Sequence, residues 1–215
     1  MPDSIRQRIE REEFDYQALL GALADYARPR DKITNLLRKG LIIRVKKGIY
    51  VFGEAYRRQP VSREVLANLI YGPSYISLEY ALQYHGLIPE RVEAVTSVTS
   101  GRSRRFSTPL GQFSYRSIPM SALQVGMDRV EIDRNRAFLI AIPEKALADQ
   151  VRSDRGAAIR SRKAMRHYLQ DFLRIEPAAL QGLDPTKLSL YAERYRSPRV
   201  RILADVVRDL RKGGR

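Results

Sequence analysis

Apolar residues between Phe14 and Gly53 recur first with the period of a helix and then with that of a strand. Two stripes at helical spacing predict one helix over residues 15–26 and another over residues 29–39. The stripes are Phe14, Leu19, Leu20, Leu23 and Ala27 in the first helix, and Ile33, Leu36 and Leu37 in the second. Pro29 suits the first turn of the second helix and Gly40 suits its C-terminal end, so both of its boundaries have a signal.

A basic hairpin is predicted directly after the second helix. The apolar runs at residues 41–45 and 49–52 predict two strands, and the residues between them, Lys46, Lys47 and Gly48, predict a tight turn. The polar stretch at residues 55–60 predicts a linker. Helix, turn, helix and hairpin in this order are typical of a winged helix-turn-helix DNA-binding domain, which we place at residues 1–58.

The rest of the chain, residues 59–215, predicts a mixed α/β domain that is helical from about residue 143. The elements predicted before that point are helices at residues 63–71 and from about residue 77 to Gly86, a strand at residues 92–99, and hairpins at residues 106–118 and 129–142. Later helices are predicted at residues 143–151, 157–175, 185–196 and 198–212. The predicted fold class of the whole chain is therefore α+β.

Composition narrows the classes of protein to which the chain can belong. Hydrophobic residues make up 44% of the 215 residues, as in a folded globular domain. The absence of Cys excludes disulfides, thiolate metal sites, cysteine nucleophiles and iron–sulfur clusters. No apolar run has the length of a membrane span, and the polar N-terminus lacks the apolar core of a signal peptide. We therefore expect a cytoplasmic protein that does not associate with a membrane.

The charge is strongly positive, with 39 Lys and Arg against 24 Asp and Glu and a formal net charge of +15. Double-stranded DNA is the partner that this balance and the predicted hairpin favour. On the helix at residues 29–39, the side opposite the apolar stripe carries Asp31, Thr34, Asn35, Arg38 and Lys39, and Arg28, Arg30 and Lys32 lie near its N-terminal end. The hairpin adds the cations Arg44, Lys46 and Lys47.

These basic and amide side chains are the candidate DNA contacts. Asn can bond adenine and Arg can bond guanine in the major groove, whereas cations at a hairpin tip commonly meet backbone phosphates. The alternative interpretation is a solvated helix face beside an ordinary turn. Helix and hairpin together, in this order, favour DNA binding.

Two further basic clusters are open to several interpretations. They are Arg102, Arg104 and Arg105 in one segment, and Arg152, Arg155, Arg160, Arg162, Lys163 and Arg166 in another. Such clusters extend a DNA footprint, bind RNA, dock an acidic protein surface or form a solvated face. Tyr71, Tyr75, Tyr80 and Tyr84 fall at helical spacing among apolar neighbours, which favours core and interface positions over a platform for stacking bases.

Catalytic signals are weak, so we expect no enzyme, no cofactor and no metal. His85 and His167 lack a partner at catalytic or metal-binding spacing, and His85 before Gly86 is typical of a helix end. The acidic residues Asp128, Glu131, Asp133 and Glu144, with Lys145, allow a metal-dependent nuclease as a weaker hypothesis.

Several segments resemble the AbiEi-type antitoxins of bacterial type IV toxin–antitoxin (abortive infection) systems. They are LLRKGLI at 36–42, KGIYV at 47–51, GPSYISLEYAL at 72–82, HGLIPE at 85–90, VTSVT at 95–99 and PEKALAD at 143–149. The resemblance covers roughly residues 14–149 and is weaker beyond them. It implies a transcriptional autorepressor whose winged helix binds inverted repeats in its own promoter. It also implies an antitoxin that counters a nucleotidyltransferase toxin without a stable complex. The alternative from the residues alone is an interaction module that docks an acidic partner without specific DNA binding.

Overall fold

The structure, a computed structural model, describes residues 2–156 and 158–213. We call residues 2–60 the head and residues 61–213 the body. The head contains α1 (Pro2–Arg8), β1 (Glu13–Asp15), α2 (Tyr16–Ala22), α3 (Pro29–Arg38), β2 (Ile42–Lys46) and β3 (Ile49–Phe52), followed by a single 3₁₀ turn (Glu54–Tyr56). The three strands form an antiparallel sheet in the order β1-β3-β2.

Local sequence signals explain where the head elements begin and turn. The Asp15 carboxylate caps α2 by accepting a hydrogen bond from the Ala18 amide at 2.8 Å. Gly48 adopts a φ of +90° in the turn between β2 and β3, a conformation that side chains disfavour. Gly53 passes so close to Gly40 that a Cβ atom at position 53 would lie 1.8 Å from the Gly40 carbonyl oxygen. Gly48 and Gly53 therefore fix the path of the hairpin against α3.

The body is a mixed sheet with helices on both faces. Its elements are α4 (Arg63–Ile70), β4 (Ser74–Ile76), α5 (Leu78–Tyr84), β5 (Val95–Thr99), β6 (Arg104–Thr108), β7 (Gly111–Ser117), α6 (Met120–Leu123), β8 (Met127–Glu131), β9 (Ala137–Ala141), α7 (Pro143–Ser153), α8 (Arg162–His167), α9 (Pro177–Gly182), α10 (Pro185–Tyr195) and α11 (Pro198–Gly213). The six strands are ordered β6-β7-β5-β4-β9-β8, with parallel pairs β7/β5 and β4/β9 and antiparallel pairs elsewhere. Among the described residues, the chain has two sheets and eleven α-helices, a mixed α+β architecture.

The two faces of the body sheet carry different helices. Tyr115 on β7 reaches α4, where its hydroxyl donates to the Ala67 carbonyl at 2.6 Å. Tyr75 on β4 points the other way, and its ring lies 5.7 Å from the Lys145 ammonium of α7. Helix α4 therefore covers one face, and α5 and α7 cover the other, with α10 and α11 packed against α7.

The head and the body are joined by packing and by buried charges. Val45 and Val51 of the head hairpin belong to the body's hydrophobic cluster, so the hairpin has one face in each core. Arg136, which is 7% exposed, lies 3.6 Å from the Glu13 carboxylate of the head. The segment at 55–60 is not a free linker, because the Arg58 and Gln59 amides donate to Glu12, and Arg136 donates to the Pro60 carbonyl and the Gln59 side chain.

Most predicted elements are confirmed, and several boundaries differ. The helix predicted at residues 15–26 ends at Ala22, because the chain turns at Leu23. The helix predicted at residues 157–175 is shorter: position 157 lies outside the described residues, α8 begins at Arg162, and it continues into a π-helical turn at Tyr168–Phe172. The sequence predicts neither the helices Pro2–Arg8, Met120–Leu123 and Pro177–Gly182 nor the short strands β1 and β4.

The prediction of core and interface positions for the four tyrosines is confirmed for Tyr75 and is wrong for Tyr84. Tyr75 lies on the strand β4 and is buried, whereas Tyr80 and Tyr84 lie on α5 and Tyr71 follows α4. Tyr84 is 46% exposed and makes an edge contact with Phe138. In the described part of the chain, none of the helices is long and apolar enough to cross a membrane.

Candidate nucleic-acid interface

Helix α3 presents a row of polar side chains on the side opposite its buried stripe. Ile33 and Leu36 are buried in the head core. Arg30, Thr34 and Arg38 are all exposed and follow one another at intervals of four residues, which places them in one line along the helix. The row therefore carries a guanidinium group near each end of the helix and a hydroxyl between them.

The other predicted contacts on this helix surround that row. Arg28, Lys39 and the acidic Asp31 are exposed as well. Lys32 is half-buried, with its ammonium 4.8 Å from the centre of the Tyr26 ring. Asn35 is also half-buried, and its side-chain oxygen accepts a long hydrogen bond of 3.4 Å from Arg38. A bond of this length is weak, so a base edge can replace it.

The hairpin presents fewer free cations than the sequence predicts. Arg44 and Lys47 are exposed. Lys46 is turned toward the body, where its ammonium donates to the Ile70 carbonyl at 2.7 Å and lies 4.8 Å from the Phe106 ring. The cause is a register shift between Arg44 and Lys46 in the β2–β3 ladder, since such an irregularity redirects the next side chain. Lys46 thus supports the contact between head and body.

The basic cluster predicted between Arg152 and Arg166 is divided by the fold. Arg162 lies 3.1 Å from Asp209 and 3.4 Å from Asp205, and Arg166 lies 3.9 Å from Asp209. The positive charge of α8 is therefore largely balanced by acidic residues of α11. Arg152 and Arg155 do not share this surface; they line a cavity at the start of α11. In the other predicted cluster, Arg102, Arg104 and Arg105 are exposed.

The residues of the nuclease hypothesis do not converge. Glu131 pairs with Arg129 on an exposed strand, and Asp133 lies 2.7 Å from Arg136. Glu144 accepts from the Asp184 amide at 3.1 Å, far from these two in the fold. No group of three or more His, Asp or Glu side chains that could hold a metal occurs within residues 2–156 and 158–213.

Both histidines have local partners. His85 is the C-cap residue of α5, as its position before Gly86 predicts. Its Nε2 atom lies 2.8 Å from the Ala141 carbonyl of β9, so the ring links α5 to the sheet. His167 is exposed, with Nδ1 at 2.6 Å from Asp171 on the next turn.

A buried polar cluster lies between β4, α7 and α10. Lys145 and Asp149 on α7 are both 0% exposed and form an ion pair. The Asp149 carboxylate also accepts from the Tyr195 hydroxyl at 2.6 Å and the Ser77 hydroxyl at 2.7 Å. The rings of Tyr75, Tyr191 and Tyr195 surround the Lys145 ammonium at 5.7, 5.8 and 4.7 Å. We call these six residues the buried lysine cluster.

The electrostatics of the buried lysine cluster follow from its burial. Loss of water lowers the pKa of Lys145, although the Asp149 carboxylate opposes this effect. Burial, together with the charge of Asp149, raises the pKa of Tyr75 and of Tyr195 far above the usual range. Burial also raises the pKa of Tyr191 to about 12. The cluster is closed to solvent, and its geometry therefore serves to hold α7 and α10 to the sheet.

The sequence contains one signal that could have found this cluster. Lys145 and Asp149 are four residues apart in the helix predicted at residues 143–151, the spacing of an ion pair on a single helix face. The contribution of Tyr195 comes from a helix 46 residues later and depends on the tertiary packing. No family model and no curated protein matches this chain.

Proposed function

We propose that the head is a winged helix-turn-helix that binds duplex DNA sequence-specifically, with α3 in the major groove. The observation that carries the proposal is the exposed row Arg30, Thr34 and Arg38, opposite the buried stripe of α3 and next to the basic hairpin. A major groove about 12 Å wide admits one α-helix, and α3 has ten residues. An arginine side chain on such a helix can donate two hydrogen bonds to the edge of one guanine.

Different roles follow from the different positions of the side chains. Four side chains are assigned to base edges, since they lie on the outer side of α3 or at its margin: Arg30, Thr34, Asn35 and Arg38. Arg44 and Lys47 on the hairpin are assigned to phosphates, which fix the position of the head without reading sequence. Lys46 is left out, because its ammonium is engaged with the body.

We further propose that the protein represses its own operon and acts as the antitoxin against a nucleotidyltransferase toxin. The support is the resemblance of the segments at 36–51, 72–99 and 143–149 to AbiEi-type antitoxins. In that role the head would occupy inverted repeats in the promoter, and the body would carry the antitoxin activity.

Single substitutions separate base reading from phosphate binding. With a duplex from the region upstream of the gene, Asn35→Ala and Arg38→Ala each cost about 1–3 kcal/mol of binding free energy and relax the preference at one base position. Lys47→Ala weakens all sequences alike and lowers the slope of log affinity against log salt by about 1. Arg129→Ala, which removes an exposed charge from β8 of the body, is the matched control and leaves binding unchanged.

Fluorescence anisotropy at several salt concentrations measures both effects. Binding that is indifferent to Asn35→Ala and Arg38→Ala contradicts the assignment of α3 to the groove. In that case, a stoichiometric complex with an acidic protein partner and only nonspecific DNA binding would favour the interaction module instead.

A further inference from the structure

A concave surface of the body collects arginine side chains from two separate parts of the chain. The cavity has a volume of about 420 Å³ and is lined by Arg152, Arg155, Arg196, Ser197, Pro198 and Arg199. Arg152 lies in the last turn of α7, Arg155 follows that helix, and Arg196 and Arg199 lie around the start of α11. We call this surface the arginine cleft.

The arginine side chains of the cleft differ in their partners. Arg152, Arg155 and Arg196 are exposed, and within the described part of the chain none of the three forms an ion pair. Arg199 is half-buried and donates to the Asp154 carbonyl, which fixes its guanidinium at the wall of the cleft. The Asp154 carboxylate accepts from Tyr168 and from the Gly156 amide. By contrast, the arginines of α8 face the acids of α11.

The backbone at Arg196 adopts a conformation that a glycine accommodates well, so the side chain can be removed there without straining the fold. Arg196 is the C-cap of α10 and adopts a left-handed conformation, with φ 49° and ψ 44°. Glycine is the residue usually found in this conformation at a helix end, since any other side chain costs free energy there. The chain instead carries an arginine, and its side chain lines the cleft beside Arg152 and Arg199.

We propose that the arginine cleft binds a compact anion with several linked phosphate groups, such as the phosphate chain of a nucleotide. Guanidinium groups bond phosphate oxygens in a planar, bidentate geometry, and several of them converging on one anion relieve their mutual repulsion. The volume of the cavity falls in the range of small-molecule sites. A compact anion fits four guanidinium groups around one cavity better than a duplex does, because the phosphates of a duplex are spread along a convex surface.

A matched pair of variants tests the arginine cleft without endangering the fold. Arg196→Gly removes one guanidinium and relieves the left-handed backbone. Arg174→Gly makes the same change at a second exposed, left-handed arginine, φ 51°, which lies outside the cleft and pairs with Glu90. Both variants should melt close to the temperature of the unmodified protein, so a difference in binding between them reports the site.

The probes are tripolyphosphate and ATP, titrated calorimetrically into the full-length protein. We expect both anions to bind with similar affinity, because the phosphate chain is the group recognised. Arg196→Gly weakens both by about tenfold or more, the loss expected for a charge-assisted hydrogen bond, and Arg174→Gly leaves them unchanged. The proposal is overturned if neither anion binds, if the two glycine variants lose binding equally, or if only duplex DNA is bound in a manner sensitive to Arg196.

Discussion

Replacing Asp149 by Asn tests how much the ion pair of the buried lysine cluster contributes to stability. The substitution keeps the shape of the side chain and removes its charge. Asp149 is the ion-pair partner of Lys145 in the cluster and accepts from both Ser77 and Tyr195. Without the carboxylate, the fully buried Lys145 ammonium retains the Tyr195 hydroxyl at 3.0 Å and the surrounding rings.

The expected loss of stability can be worked from this geometry. Removing one partner of a buried ion pair costs about 3–5 kcal/mol, since the other charge is left uncompensated. For a chain of this size, each kcal/mol lowers the melting temperature by about 2–4 °C, so Asp149→Asn should melt roughly 6–20 °C lower. Lys145→Met should lose less, because the two hydroxyl donors still satisfy Asp149.

The combined replacement is the internal control. Lys145→Met with Asp149→Leu removes both charges, and exchange of a buried pair for apolar residues is often neutral or stabilising. We therefore expect the double variant to be more stable than Asp149→Asn alone when measured by urea unfolding. Losses below about 1 kcal/mol for the single variants, or losses that simply add in the double variant, would refute the buried pair as described.

The pH dependence of Asp149→Asn has a definite sign. Burial lowers the pKa of Lys145 in the folded protein below its ordinary value of 10.5, and removal of the carboxylate lowers that pKa further. Between the lowered pKa and 10.5, the unfolded chain binds more protons than the folded chain, so stability rises with pH. The deficit of the variant should therefore shrink toward alkaline pH.

Three further outcomes follow from the junction of head and body. Arg136→Met should cost about 3–5 kcal/mol and open the segment at 55–60 to limited proteolysis, because it strips the buried Glu13 of its cation. Burial raises the pKa of Glu13 above 4.5, so folding stability falls as the pH rises from 4.5 through that raised pKa. Glu13→Gln should flatten this part of the pH profile of stability, measured by urea unfolding. An unchanged profile would exclude Glu13 as the source of the pH dependence. Lys46→Ala should lose about 1 kcal/mol of stability and keep the salt dependence of DNA binding. Lys47→Ala should keep its stability and lower the salt dependence of DNA binding.

Elements that carry their own boundary signals were predictable from the sequence. Helix α3 has Pro29 at its start and an apolar stripe, and the hairpin after it has Gly48 at its turn, so both were predicted within a residue or two. The strand Ser74–Ile76 has only three residues, and its partners lie at 95–99 and 137–141. A strand this short is defined by distant pairing, which periodicity along the chain does not reveal.

Most of the exposed face of α3 was also predictable, because burial on a helix follows largely from spacing, although Lys32 and Asn35 are half-buried. The position of Lys46 was not, since a one-residue irregularity in the ladder decides which domain the side chain contacts. The arginine cleft was hidden for another reason. Arg152 and Arg196 are 44 positions apart in the sequence and meet because α10 and α11 pack against α7.

Sequence-specific DNA binding by α3 can be measured by direct comparison of two duplexes. The full-length protein is titrated with a duplex covering the region upstream of its own gene and with a scrambled duplex of equal length, at one salt concentration. If α3 reads base sequence, the upstream duplex binds at least about a thousandfold more tightly, and Arg30→Ala with Arg38→Ala abolishes this preference. Equal affinity for the two duplexes, or a preference that survives the double substitution, would contradict base reading by α3.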